Sequence, residues 1–194
     1  MNILLDDLPE YITVKGKQYF ADTDFRTMII LEKVINDKSI DNATRVRNTI
    51  DLILTEEQPV EIDLAIDEIL FLYSCGKRNK GVKMRPKNGD VELKPKQIFD
   101  YEHDAPYIYA AFLSQYRIDL NEIQFLHWWK FQALFRSLDD DCKIAQIMSY
   151  RAADLDKIKD KNERSRIAKL KRIYALTDGY TVEEKVAMAG MAFR

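Results

Sequence analysis

Glycine and proline are scarce, with six and five residues in a chain of 194. So few turn formers suit a mostly helical chain. There is no glycine-rich loop to cradle a phosphate, no GxSxG and no HExxH. Cysteine occurs twice, at Cys75 and Cys142, far apart and in no metal-like spacing. Buried small apolar groups in a reducing cytoplasm account for both. No apolar stretch approaches the roughly 20 residues that a membrane-spanning helix needs. The first ten residues, MNILLDDLPE, carry early acids and no apolar run of signal length, so secretion is not expected. Charge of one sign is also lacking: the formal net charge is -2, so the chain as a whole is not a polycation seeking nucleic acid.

What is present is an ordinary globular composition, 46% hydrophobic and 32% charged. The stretch YITVKGKQYFA, 11–21, alternates around Gly16 and predicts a β-hairpin. Asp22, Thr23 and Asp24 then offer N-caps for a helix running to about Asn36. A second helix is expected from near Asp41, and a third over about 61–74 with a wide apolar face. Helices resume near residue 103, with Pro106 in a first turn. One is expected from Asp119–Asn121 to Leu138, and another behind the Asp139–Asp141 cluster, whose carboxylates the helix N-terminus favours. Thr181 and Glu184 form a capping box for a short final helix.

The expected fold class is mainly α: an N-terminal β-hairpin followed by helices, and a helical, bundle-like C-terminal region. The expected domains are 1–75 (hairpin plus helices), 76–96 (a basic linker or mobile loop) and 97–194 (a helical domain). The 76–96 stretch, GKRNKGVKMRPKNGDVELKPK, lacks helical periodicity and carries Lys77, Arg78, Lys80, Lys83, Arg85 and Lys87 before its first acid. A solvated loop is favoured over a nucleic-acid patch, because no aromatic residue is interleaved to stack on a base. The basic stretch 159–174 reads as the charged face of a helix whose apolar strip is Ile167, Leu170, Ile173 and Tyr174.

Chemistry-bearing constellations are few. His127 falls on an apolar stripe and reads as a core histidine with one hydrogen bond. His103 stands near Asp100, Glu102 and Asp104, but alternating neighbours at a helix start do not converge on one ion. No nucleophile, base and orienting group are set out together. Catalytic residues, metal ligands and cofactors are therefore all expected to be absent, and no enzyme activity is expected.

The most unusual stretch is FLHWWKFQALF, 125–135. Successive residues of a helix point about 100° apart, so Trp128 and Trp129 cannot share one narrow stripe. On a helix continuous from Leu120, Trp128 joins Leu120, Ile123, His127, Phe131, Leu134, Phe135 and Leu138. Phe125 and Trp129 fall nearly opposite. Either another helix of the chain covers Phe125 and Trp129, or these two residues form a partner-binding surface.

Several stretches together resemble a known family. YITVKGKQYFADTDFRTMIILEKVI resembles the N-terminal hairpin and helix of siphophage tail assembly chaperones. IFDYEHDAPYIYAAFLSQYRIDLNEIQFLHWWKFQALFRSL, with IMSYRAADLDKIKDKNE and LKRIYAL, is similar to the bacteriophage family named gene product fifteen. The resemblance covers about 8–176, and IYAAF, IDL and LHWWKF at this spacing are its most specific parts. It implies a small assembly factor that binds the tape measure protein and keeps it soluble before tail-tube polymerisation. It also implies a place in the bacterial host cytoplasm and absence from the mature virion. Further partners in view are the major tail tube protein, a second tail chaperone and a second copy of the chain, with no membrane and no nucleic acid. A nucleic-acid-binding phage regulator using 77–87 and 157–172, and a structural tail component, are the alternatives.

Overall fold

The computed structural model describes residues 2–77 and 97–176. Most of the expected basic segment 76–96 and the whole of the expected last helix lie outside these residues. Among them the protein is mainly α, with seven helices, one short 3₁₀ turn and a single antiparallel hairpin. The chain divides into two compact units, Met1–Asn88 with Ile123–Arg136, and Gly89–Glu122 with Ser137–Arg194.

In the first unit, β1 (Tyr11–Val14) pairs with β2 (Lys17–Phe20), Tyr11 opposite Phe20 and Val14 opposite Lys17. Lys15 and Gly16 make the turn, both at positive φ, the geometry of a tight hairpin connection. Three twelve-residue helices follow: α1 (Phe25–Asn36), α2 (Asn42–Ile53) and α3 (Ile62–Tyr73). Of the three candidate caps, Asp24 is the one used. Its carboxylate accepts from the Arg26 amide, and Asp41 does the same for Ala43 and Thr44 at α2. Met28, Leu31, Ile53 and Ile69 are fully buried between these helices.

The expected helix from Asp119 does not form. Arg117 ends α4 (Ala105–Tyr116) in the left-handed conformation. Asp119 then accepts from the amides of Asn121 and Glu122, a turn that Asp favours over helix. Helix α5 spans only Trp128–Arg136. The backbone before it is committed elsewhere: Trp128 N–H donates to Thr23 O (2.8 Å), and Phe25 N–H to Leu126 O (3.0 Å). A wheel drawn through 120–127 therefore assigns faces to residues that are not helical. The expected domain 97–194 is divided for the same reason. Segment 123–136 bonds and packs with the first unit, whereas Leu120 and Leu138 belong to the second.

The second unit holds α4, α6 (Lys143–Ala152), the 3₁₀ turn Leu155–Lys157 and α7 (Lys161–Ile173). Ile147, Ile167, Leu170, Ile173 and Tyr174 form one buried cluster here, with Tyr107 and Tyr150 packed against it. Residues 139–141 do not cap α6. Its N-cap is Cys142, which makes no side-chain cap bond. Asp104 is buried too completely to serve as an acid of a solvated first turn. It is 0% exposed and faces Arg151, itself 3% exposed. Arg151 Nη1 and Nη2 donate to the two carboxylate oxygens at 2.5 and 2.9 Å. Its Nε donates to Tyr174 O and its Nη1 also to Ile98 O. Burial pushes the Asp104 carboxyl up, but Arg151, His103 and the Asp100 amide outweigh it and hold the carboxyl below the usual range.

Candidate functional site

The two tryptophans face the first unit, and both indoles do the same work there. Trp128 Nε1–H donates to Tyr73 O at 2.8 Å, and Trp129 Nε1–H to Leu72 O at 2.7 Å. These are the last two residues of α3, where four carbonyls lack partners within the helix. The adjacent rings reach adjacent carbonyls, so a pair that cannot share one stripe shares one helix end. Trp128 stacks between Tyr73 and Phe131, while Trp129 meets Phe71 and His127 edge-on. Behind α3, Gly76 (φ 78°) allows close approach: a Cβ there would lie 3.0 Å from the Trp129 ring.

Trp129 is therefore 7% exposed and is no partner surface. The chain covers it with α3 and Gly76. Phe125 has the opposite fate: at 48% exposed it is one of the large apolar side chains left in water. The two residues that share a wheel face do not share an environment, because Phe125 precedes the helix.

His127 is buried, as its apolar neighbours suggest, but it makes two hydrogen bonds where one was expected. Nδ1 accepts from the Trp129 amide at 3.0 Å, so Nε2 carries the proton and donates to Pro9 O at 3.1 Å. Burial pushes its pKa down, against the Pro9 carbonyl and Glu10, which favour the charged form. The unfolded chain thus takes up a proton more readily than the folded one. The resulting stability is complete above the ordinary histidine value of about 6.5 and is lost as pH falls through the lower folded value. Urea unfolding from pH 7.5 down to 5 should show this fall, and His127→Gln should flatten it. An equal slope in both proteins would rule the ring out as the source.

Three backbone junctions meet beside Phe125. Ala21 N–H donates to Glu10 O, prolonging the hairpin; Asp22 N–H donates to Ile53 O at the end of α2; and Thr23 O receives Trp128 N–H. They enclose a notch of about 400 Å³, open to solvent and lined by Glu10, Phe20, Asp22, Thr23, Thr55 and Phe125. The Asp22 carboxylate accepts from the Asp24 amide and the Thr27 hydroxyl. Thr23 is 2% exposed, and its hydroxyl oxygen has no hydrogen-bond partner among the described residues. Of these residues only Phe125 is singled out by the sequence as a binding residue. Asp22 and Thr23 read as cap candidates, and the junction that brings Phe125 to the other five residues, Trp128 N–H to Thr23 O, spans more than 100 positions.

Comparison with protein families matches residues 4–176 to the family described as Bacteriophage Gp15 protein. The chain belongs to this family. It is a bacteriophage protein, and the family match takes in all seven helices and the hairpin. Searches of curated proteins and of solved structures return no match. Within this Gp15-family chain, the other residues with chemical potential are dispersed. His103 Nδ1 lies 3.1 Å from buried Asp104, which Arg151 already holds. Burial pushes the Cys75 thiol up, with Arg136 and Lys77 opposing it. Among the described residues no three His, Cys, Asp or Glu side chains gather to hold a metal ion. No helix among them is long and apolar enough to cross a membrane. On α7, Arg166 is paired with Glu163, and Arg164 is bonded to Ile158 O.

Proposed function

We propose that this chain is a non-catalytic tail assembly chaperone that binds the tape measure protein and keeps it soluble before the tail tube polymerises. Membership of the phage family is what carries this reading, and the notch beside exposed Phe125 supplies a surface for it. A long helical client with exposed apolar stripes aggregates when unprotected. Apolar rings at a notch can engage such stripes by helix-in-groove packing. Many weak copies along one client add by multivalency, and a growing tube can still displace each of them. The protein would act in the host cytoplasm and leave before the virion matures.

Co-expression with the tape measure protein of the same phage tests the proposal. The soluble share of the tape measure protein should rise several-fold, and mass spectrometry of purified particles should find the chaperone absent. An unchanged soluble share overturns the chaperone reading. Stoichiometric presence in particles makes the protein a tail component instead. Strong, salt-dependent binding to DNA would favour the regulator.

A further inference from the structure

The notch is built for more than apolar contact. Glu10 and Asp22 place two carboxylates in its wall, and neither forms an ion pair with any described residue. Behind the wall the Thr23 hydroxyl is buried and has no hydrogen-bond partner among the described residues. A buried hydroxyl without a partner is costly, and native proteins seldom leave one. Phe20 and Phe125 supply the apolar wall, with the Tyr11 ring edge-on to Phe20 at 5.7 Å. Acceptors of negative sign at the wall and aromatic rings beside them match one kind of side chain: a long aliphatic stem with a cationic end.

We propose that this notch receives an arginine or lysine side chain from an apolar helical segment of another phage protein. The stem lies along Phe20 and Phe125. The cation donates to the carboxylates of Glu10 and Asp22, whose lone pairs accept. An arginine fork, with five N–H donors, can serve several of these acceptors together. The apolar neighbours of that residue on its helix, three and four positions away, cover the exposed face of Phe125. This deepens the chaperone reading and rests on it only for the partner's identity. The notch itself asks for a basic-apolar segment whichever phage protein carries it.

The test uses the full chain with Phe125→p-benzoylphenylalanine, irradiated in host cells producing the phage, followed by sequencing of the linked peptide. The expected product joins position 125 to a segment with a Lys or Arg within one helical turn of apolar residues. Glu10→Lys, at an exposed position, should leave the melting temperature unchanged and lower the cross-link yield about tenfold, as like charges at an interface do. Asp67→Lys makes the same change of net charge at an exposed position of helix α3 and should leave the yield alone. A linked peptide from the tape measure protein supports both proposals. One from a different phage protein, with the same basic-apolar pattern, supports the notch and removes the tape measure as its client. A link to a second copy of this chain, no link, or a yield indifferent to Glu10→Lys overturns the notch proposal.

Discussion

Trp129→Ala is expected to destabilise the protein by roughly 3–5 kcal/mol, the usual cost of truncating a large buried side chain. Two effects combine at this site. The ring fills the space over Gly76 and against Phe71 and His127, so its loss opens a cavity. Its N–H also donates to Leu72 O at the end of α3, a carbonyl that keeps Cys75 N–H as a second donor, so this loss is the smaller of the two. Trp129→Phe separates the two, keeping most of the apolar volume and losing only the donor. It should fall between wild type and Trp129→Ala. Trp128→Ala should cost about as much as Trp129→Ala, since its indole serves Tyr73 O in the same way. Phe125→Ala, on an exposed ring, should stay within about 0.5 kcal/mol of wild type. Urea denaturation of these variants gives the ranking. A Trp129→Ala protein as stable as wild type would contradict the burial described above.

Breaking the Asp104–Arg151 pair should cost about as much, roughly 3–5 kcal/mol for either Asp104→Asn or Arg151→Met. The loss reflects the charge left behind more than the value of the pair itself. Asp104→Asn strands a guanidinium that is 3% exposed, and Arg151→Met strands a fully buried carboxylate. Arg151→Met also removes the donor to Tyr174 O and Ile98 O. The double replacement, Asp104→Leu with Arg151→Met, should recover a large part of the loss, because it leaves no buried charge. Chemical denaturation of Asp104→Leu, Arg151→Met and their combination forms a cycle, and strict additivity of the two single losses would mean that the groups are not coupled. The depressed Asp104 carboxyl also stabilises the fold above the ordinary aspartate range and loses that contribution as pH falls through its lower folded value.

The local part of the fold was legible in the sequence because its signals are local. The KGK turn, Asp24 before Phe25, Asp41 before Asn42 and Pro106 at the head of α4 each act within a few residues, and each stands where the pattern puts it. The failures share a cause. Residues 118–127 carry helical spacing, but Asp119 takes a turn and the amides near 126–128 bond to Thr23 and Asp24, more than 100 positions earlier. No periodicity within the segment reports such a partner. The notch was illegible for the same reason, apart from Phe125. The Asp104–Arg151 pair was missed because an aspartate at a helix start and an arginine at a helix end each have a bland local explanation. Only their separation in space, which the sequence does not give, makes them a buried pair.

One consequence of the tryptophan pair concerns the order in which the chain is made. Tyr73 and Trp128 are 55 positions apart. A ribosome adding about 5–20 residues per second delivers Trp128 roughly 3–11 s after Tyr73. Through that interval the last turn of α3 has no indole over its carbonyls, and Phe25 lacks the Phe131 ring that stacks on it at 4.9 Å. The nascent N-terminal half therefore waits, with one wall of its core missing, for a piece encoded downstream of α4. A stop codon anywhere before residue 128 would release a chain with that wall permanently open.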